Sequence, residues 1–178
     1  MEIVPLGQRE LDALTDLARR PDVVRHGDHL EVDPPSVFAA WLGEPDANRQ
    51  LSLGARRDGA LIAAARLSTI PRRRRTHVGV VELIAPWGED GDAAVDALLG
   101  ALVDAAERWM QLARLELIAP AGHPRVEGVY AARGFSVETI MRASIRRDEA
   151  LADEVALARI RPGTRSLEPV AGRPAPRP

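Results

Sequence analysis

The sequence predicts an α+β fold, a mixed sheet of about seven strands with a central parallel β-α-β unit and about four helices. Seven short apolar or alternating segments are interleaved with four segments in which apolar residues recur at helical spacing. The longest helical segment, 92–110, lies between the apolar segments 77–85 and 115–119. Because a strand-helix-strand unit of this length makes a right-handed crossover, its two strands are expected to be parallel.

The N-terminal part of the chain predicts one strand and two helices. Residues 3–6 favour a strand, and 8–20 carry leucines at helical spacing until Pro21 ends the helix. Segment 22–33 has no periodicity. A second short helix starts at the Pro-Pro-Ser of 34–36, and its apolar face is formed by Val37, Phe38, Trp41 and Leu42.

Segments 51–57 and 60–70 predict a β-hairpin. The intervening Asp58-Gly59 suits a type I′ turn, whose two central residues both need a positive φ. The arginine run 72–75 follows as a connection to strand 77–85. It is read as a solvated turn, with attraction of an acidic acceptor as the alternative.

The C-terminal part predicts the last helix and two further strands. Pro124 suits the first position of a helix, and Gly134 lies where a glycine would end it. Segments 135–145 and 154–160 are strand candidates around a polar connection.

The length of 178 residues suits one domain with a self-sufficient core. We expect that domain to span 1–162, because 163–178 is rich in Pro, Arg and Gly and has almost nothing to bury. The last segment is therefore predicted to be a C-terminal tail.

The composition excludes several chemistries. All 24 basic residues are arginine, and neither lysine nor cysteine occurs. Schiff-base lysines, Walker-type phosphate loops, thiol nucleophiles and cysteine-ligated metals are therefore excluded. The net charge of −2 does not suit a general nucleic-acid binder, so a small-molecule or protein partner is expected. Neither a signal peptide nor a membrane span is recognisable, which predicts a cytoplasmic protein.

A residue pattern that begins at Glu82 and continues to residue 135 resembles a known family. Glu82-Leu83-Ile84 precedes a loop and the long helix, and 123–135 reads His-Pro-Arg-Val-Glu-Gly-Val-Tyr-Ala-Ala-Arg-Gly-Phe. Together with the order of elements over 1–162, this resembles the GNAT superfamily of acyl-CoA-dependent N-acyltransferases. The resemblance implies a cytoplasmic N-acetyltransferase that moves an acetyl group from acetyl-CoA directly to an amine of a small molecule or a protein, with a homodimer as one possible assembly.

The resemblance also implies where acetyl-CoA would bind. The family's pyrophosphate loop reads Q/R-x-x-G-x-G/A, and the matching stretch, 87–93, is Trp-Gly-Glu-Asp-Gly-Asp-Ala, with carboxylates and no basic residue. The carboxylates either oppose the phosphates or are solvated, with Asp92 as the helix N-cap. The cofactor-binding residues implied by the resemblance are Leu83, Ile84, Ala85, Asp90, Gly91, Asp92, Ala93, Ala94, His123 and Arg125.

Two residues are implied as catalytic. Tyr130, the only tyrosine, matches the family's motif tyrosine and would protonate the leaving thiolate, or else only pack as an aromatic residue. Glu82 would be the general base, directly or through water, and burial in an apolar strand would suit that task. Glu116 is a weaker choice for the base. His123 either contacts the cofactor or only caps its helix.

Two alternatives complete these predictions. The His-Gly-Asp-His of 26–29 is too short and too irregular for a metal site, so no metal is expected, although one histidine could contact the acceptor. Because the loop is acidic, the alternative function is a catalytically degenerate GNAT-fold protein that acts as a ligand-binding or protein-interaction module.

Overall fold

Seven strands form a single mixed sheet in the computed structural model, which describes residues 1–25, 27, 32–42, 50–147 and 149–165. The strands are β1 (Glu2–Pro5), β2 (Gln50–Arg57), β3 (Ala60–Thr69), β4 (Val78–Ile84), β5 (Arg114–Pro120), β6 (Ser136–Arg147) and β7 (Ala150–Ile160). Their order across the sheet is β1-β2-β3-β4-β5-β7-β6. The β4–β5 pair is parallel and all other neighbours are antiparallel.

The helical segments lie on both faces of the sheet. A 3-10 turn (Gln8–Glu10) precedes the helices, which are α1 (Leu11–Ala18), α2 (Pro21–Val24), α3 (Pro35–Leu42), α4 (Glu89–Arg108) and α5 (Val126–Tyr130), the last of which is π-helical. No helix in the described part of the chain is both long and apolar enough to cross a membrane.

The α+β fold predicted from the sequence is confirmed. The β2–β3 turn has Asp58 at φ 51° and Gly59 at φ 82°, as a type I′ turn requires. The β4-α4-β5 unit is the expected parallel crossover, with Val78 opposite Arg114. Gly134 ends the last helical stretch at φ 80°.

Several element boundaries differ from the prediction. The aperiodic segment contains α2, which begins at Pro21 and has too few residues to show a period. Helix α4 begins at Glu89 rather than at Asp92. The connection expected after residue 145 is mostly strand, since β6 continues to Arg147. Most of the predicted tail, 166–178, lies outside the described residues.

The two sheet faces carry separate apolar cores. Helix α4 packs on one face with Leu98, Leu99 and Leu102 against Leu67 and Val81. The other face is covered by α1, α2 and α3, and its core is formed by Leu6, Leu14, Leu17, Ala18, Val23, Phe38, Trp41, Leu42, Ala64 and Ile84. Alternate residues of β4 therefore contribute to opposite cores, as the period of a strand requires.

The parallel strands separate towards their carboxyl ends. Pairing between β4 and β5 covers only Val78 to Val80 and Arg114 to Glu116. Beyond that point β4 stays bonded to β3 as far as Ile84, and β5 stays bonded to β7. Each strand thus follows its outer neighbour, and a gap opens in the middle of the sheet.

Truncation of a fully buried α4 residue should be costly. We expect Leu98→Ala, at 0% exposure, to lower the free energy of unfolding by about 2–5 kcal/mol, because the helix cannot collapse into the cavity left behind. Leu151→Ala, at a residue 60% exposed, is the matched control and should change it by less than about 0.5 kcal/mol. Urea denaturation measures both. Equal losses would contradict the packing of α4 on the sheet.

Candidate active site

A cavity of about 320 Å³ lies where β4 and β5 separate. Residues from both faces of the sheet line it. Val23 and Glu82 lie on the α1–α3 side, and His123, Arg125 and Tyr130 lie on the α4 side. Two reactants, one bound on each face of the sheet, could therefore come into contact in this cavity.

The inner edge of β4 forms one wall of this cavity. Leu83, Ile84 and Ala85 line it at positions where β4 no longer pairs with β5. Backbone groups on the unpaired edge of a strand can bind an extended ligand as an added strand would. This part of the implied cofactor site is therefore brought to the cavity.

Glu82 faces an arginine across the β3–β4 ladder. Arg66 lies directly opposite it, and both Arg66 Nε, at 2.7 Å, and Nη2, at 2.5 Å, contact Glu82 Oε2. The Arg66 guanidinium also lies 5.3 Å from the centre of the Trp41 ring. The Glu82 side chain is 40% exposed, so the expected burial is wrong: Arg66 satisfies the carboxylate at the rim of the cavity.

Glu116 is engaged elsewhere. Its carboxylate accepts hydrogen bonds from Arg75 at 2.8 Å and from Arg114 at 2.6 Å, and Arg114 also forms a two-pronged pair with Glu138. The hydrogen bond to Glu138 raises the pKa of Arg114, and that of Glu138 is lowered by the same contact. Glu116 is not among the residues that line the cavity. The structure therefore gives no support to Glu116 as a base.

Two of the acidic residues at the start of α4 are paired with arginines from other elements. Asp92 Oδ1 lies 2.5 Å from Nε of Arg125, and Asp90 Oδ1 lies 2.8 Å from Nη1 of Arg57. The N-cap of α4 is Gly88, so Asp92 is not the cap. The loop sequence lacks a cation, but the fold brings two to it.

Gly91 permits close packing of α4 on the chain that leaves β4. A Cβ at this position would lie 2.0 Å from the carbonyl oxygen of Pro86, well inside any normal contact. Only glycine lets the first turn approach so closely. From the sequence, Gly91 was named only as a glycine of the loop before the predicted helix, and its packing role follows from the start of α4 at Glu89.

Arg125 and His123 form the start of the last helix. Arg125 is 4% exposed and donates a hydrogen bond to the Pro86 carbonyl. His123 Nδ1 accepts the backbone N–H of Arg125 at 3.0 Å, which confirms the capping interpretation of this histidine. The His123 ring also makes an edge contact with Trp87, with centroids 4.1 Å apart.

Tyr130 is buried, at 5% exposure, and lines the cavity. Burial raises the pKa of its phenol, the nearby Arg125 guanidinium partly offsets that rise, and Asp92 adds to it. Burial therefore favours the neutral phenol, the form that a proton donor needs.

The cavity does not gather every implied residue. Asp90, Gly91, Asp92, Ala93 and Ala94 lie in the first turns of α4 and do not line it. Val23, Arg66 and Trp87 were not named as site residues from the sequence. Arg66 could have been found, because side chains alternate between the two faces of the predicted hairpin strand and this places Arg66 on one face, opposite the next strand. Of the predicted histidine cluster, His26, Asp28 and His29 lie outside the described residues. The described residues contain no group of three that could ligate a metal.

No protein-family model and no curated protein matches this sequence. Solved structures do. A GNAT-family acetyltransferase from Streptococcus pneumoniae superposes with a TM-score of 0.77 at 16% identity, over 89% of this chain and 98% of that one. The chain has the GNAT fold.

Two other structures with the GNAT fold carry informative names. A ribosomal-protein-alanine N-acetyltransferase from Brucella melitensis gives a TM-score of 0.75 at 17% identity, over 90% of this chain and 99% of that one. A putative acetyltransferase from Salmonella typhimurium, solved with its cofactor acetyl-CoA, gives 0.74 at 14%, over 89% and 92%. Identities this low establish the fold alone.

The packing of Gly91 predicts a position-specific effect of alanine. Gly91→Ala should destabilise the protein by about 1–3 kcal/mol, because the backbone of Pro86 cannot move aside. Gly100→Ala in the same helix is the matched control. Its Cβ would meet only the tip of Arg133, and alanine favours helix, so it should be neutral or stabilising by up to about 1 kcal/mol. Thermal unfolding distinguishes the two, and equal behaviour would contradict the close approach.

Proposed function

We propose that the protein is an N-acetyltransferase that moves an acetyl group from acetyl-CoA directly to an amine. The observation that carries this proposal is the cavity in the opened sheet, with Glu82 on one side and Tyr130 on the other. The named activities of the proteins with the same fold support it. We propose a small-molecule or protein amine as the acceptor, the second in keeping with the name of the Brucella protein.

The residues present fit acetyl-CoA. The unpaired edge at Leu83, Ile84 and Ala85 would bind the amides of the pantetheine arm, and His123 and Arg125 line the same cavity. The first turn of α4, from Asp90 to Ala94, would hold the pyrophosphate through backbone N–H groups. Arg57 and Arg125 support this role because they offset the charge of Asp90 and Asp92.

The proposed chemistry assigns one proton transfer to each face. Bound acetyl-CoA supplies the thioester whose carbonyl carbon is attacked. Glu82 accepts a proton from the acceptor amine, directly or through water, on the α1–α3 side. An unpaired backbone N–H of β4 stabilises the oxyanion, and Tyr130 gives its proton to the departing sulfur. No covalent enzyme intermediate is required, in keeping with the absence of cysteine and lysine.

One observation favours a second candidate function. The Asp90 side chain is 82% exposed at the end of α4 that would face the pyrophosphate, and Glu89 beside it is exposed as well. Negative charge there opposes phosphate binding. A GNAT-fold module that binds another ligand or a protein, without acetyl transfer, would retain these features.

Calorimetric titration with acetyl-CoA separates the two candidates. We expect modest binding by the natural protein and tighter binding by Asp90→Arg, by about ten-fold or more at low salt, because a cation replaces an anion near the phosphates. Asp104→Arg makes the same charge change towards the other end of α4 and is the matched control. If neither the natural protein nor Asp90→Arg binds acetyl-CoA, the non-catalytic module is the correct reading.

Replacement of Tyr130 by phenylalanine should remove the proton donor and keep the ring. We expect Tyr130→Phe to lower kcat by about 10²-fold, as loss of general acid catalysis typically does, with the melting temperature nearly unchanged. The loss should shrink with a thioester of a more acidic thiol, whose departure needs less protonation. Steady-state kinetics with both donors measures this. Equal rates for the two proteins would leave Tyr130 as a packed aromatic only.

A further inference from the structure

The π-helical turn of α5 determines how Arg125 and Tyr130 are placed relative to each other. In an α-helix, two residues five positions apart lie about 140° apart around the axis. A π-helix instead bonds residue i to residue i+5 and so places them near one face. Residues Val126–Tyr130 are π-helical, and both Arg125 and Tyr130 line the cavity.

The Arg125 side chain is fixed by contacts on the side of the loop. The guanidinium donates hydrogen bonds to the carbonyl oxygen of Pro86 and to Asp92 Oδ1. The backbone N–H of Arg125 donates to His123 Nδ1. Pro86 and Asp92 belong to the loop and to the first turns of α4, more than 30 positions earlier in the chain. A buried guanidinium held in this way cannot turn away from its surroundings.

Among the described residues, Arg125, Asp92 and His123 are the charged or titratable groups that lie around the phenol. The Arg125 guanidinium, at the N-cap of α5, lowers the pKa of the phenol, and Asp92 of α4 raises it. The ring of His123 lies 6.5 Å from the Tyr130 ring, centre to centre. Within this set Arg125 supplies the cation: it lines the same cavity as Tyr130 and lowers the pKa of the phenol, and its ion-pair partner Asp92 partly neutralises it.

We propose that Arg125 is a positioning residue for Tyr130, a cation that the π-helical turn and the Pro86–Asp92 contacts hold against the phenol so that it can give up its proton. The role rests on the proposed acetyl transfer. When the phenol O–H bond breaks, its proton goes to the thiolate sulfur, a thiol leaves, and the phenolate faces the guanidinium until water returns a proton. In the proton transfer Arg125 thus acts through Tyr130, separately from its pairing with Asp92 at the proposed pyrophosphate site.

The lone tyrosine makes this proposal directly measurable. Incorporation of fluorotyrosine gives a single labelled phenol. The fluorine also lowers the pH range in which the phenol loses its proton, so that strongly alkaline solutions are avoided. Fluorine NMR then follows the titration of Tyr130 in the protein alone, without any substrate. We expect Arg125→Gln to raise the midpoint by about 1–3 pH units, as loss of a nearby cation does. Arg133→Gln, which removes the arginine paired with Asp96 outside the cavity, is the control and should leave the midpoint unchanged.

A second variant separates charge from loss of structure. Asp92→Asn should lower the midpoint, because the Pro86 carbonyl still holds Arg125 and the neutralising carboxylate is gone. If the Arg125 guanidinium only supports the loop, both variants should shift the titration midpoint of Tyr130 in the same direction. Either that result or an unchanged midpoint in both variants overturns the proposal. Arg125→Lys should give a midpoint between those of the natural protein and Arg125→Gln.

The activity readout is independent of this titration. The loss of kcat in Arg125→Gln should shrink with the more acidic thiol, as for Tyr130→Phe, while the KM of the acceptor stays the same. If the natural protein proves inactive but the midpoints shift as expected, the electrostatic pairing stands and the proposed acetyl transfer fails. If activity is present and the midpoints do not move, only the role of Arg125 is lost.

Discussion

The gap between β4 and β5 is the constraint on which the candidate site depends. The two parallel strands are paired over three positions only, and each then follows its antiparallel neighbour, β3 or β7. The backbone bonds lost in the middle of the sheet are few, since both strands keep a full ladder on their outer edges. The opening gives the cavity access to both faces, and so brings Glu82 near Tyr130, which belongs to the other core.

Arginine pairing decides the electrostatics around that opening. Glu82 is paired with Arg66, Asp90 with Arg57, and Asp92 with Arg125. In a chain without lysine, every side-chain cation except histidine is a planar guanidinium that can bond two acceptors in fixed directions. The Asp92–Arg125 contact also reaches the Pro86 carbonyl, so the same side chain neutralises the loop and fastens it to α5.

Much of the fold followed from local rules. Asp58-Gly59 identified the hairpin because its turn needs positive φ, and the length of the long helix together with the apolar segments on either side of it identified the parallel unit. Elements too short to show a period, such as the four-residue helix α2, were not predicted. Within the site, the resemblance predicted roles for Tyr130 and Arg125 beside a cofactor, but the spacing of the motif did not predict the π-helical turn between them, and both residues line the cavity.

Sequence alone determined the elements, their order and the chemistry that could not occur, because periodicity, glycine, proline and composition act over a few residues at a time. The tertiary structure decided which charges meet. Glu82 proved to be partly exposed and paired rather than buried, and Asp92 proved to bind Arg125 rather than to cap its helix. Both outcomes depend on partners from other elements, Arg66 across the sheet and Arg125 at α5, and only the packing of those elements brings such partners within hydrogen-bonding distance.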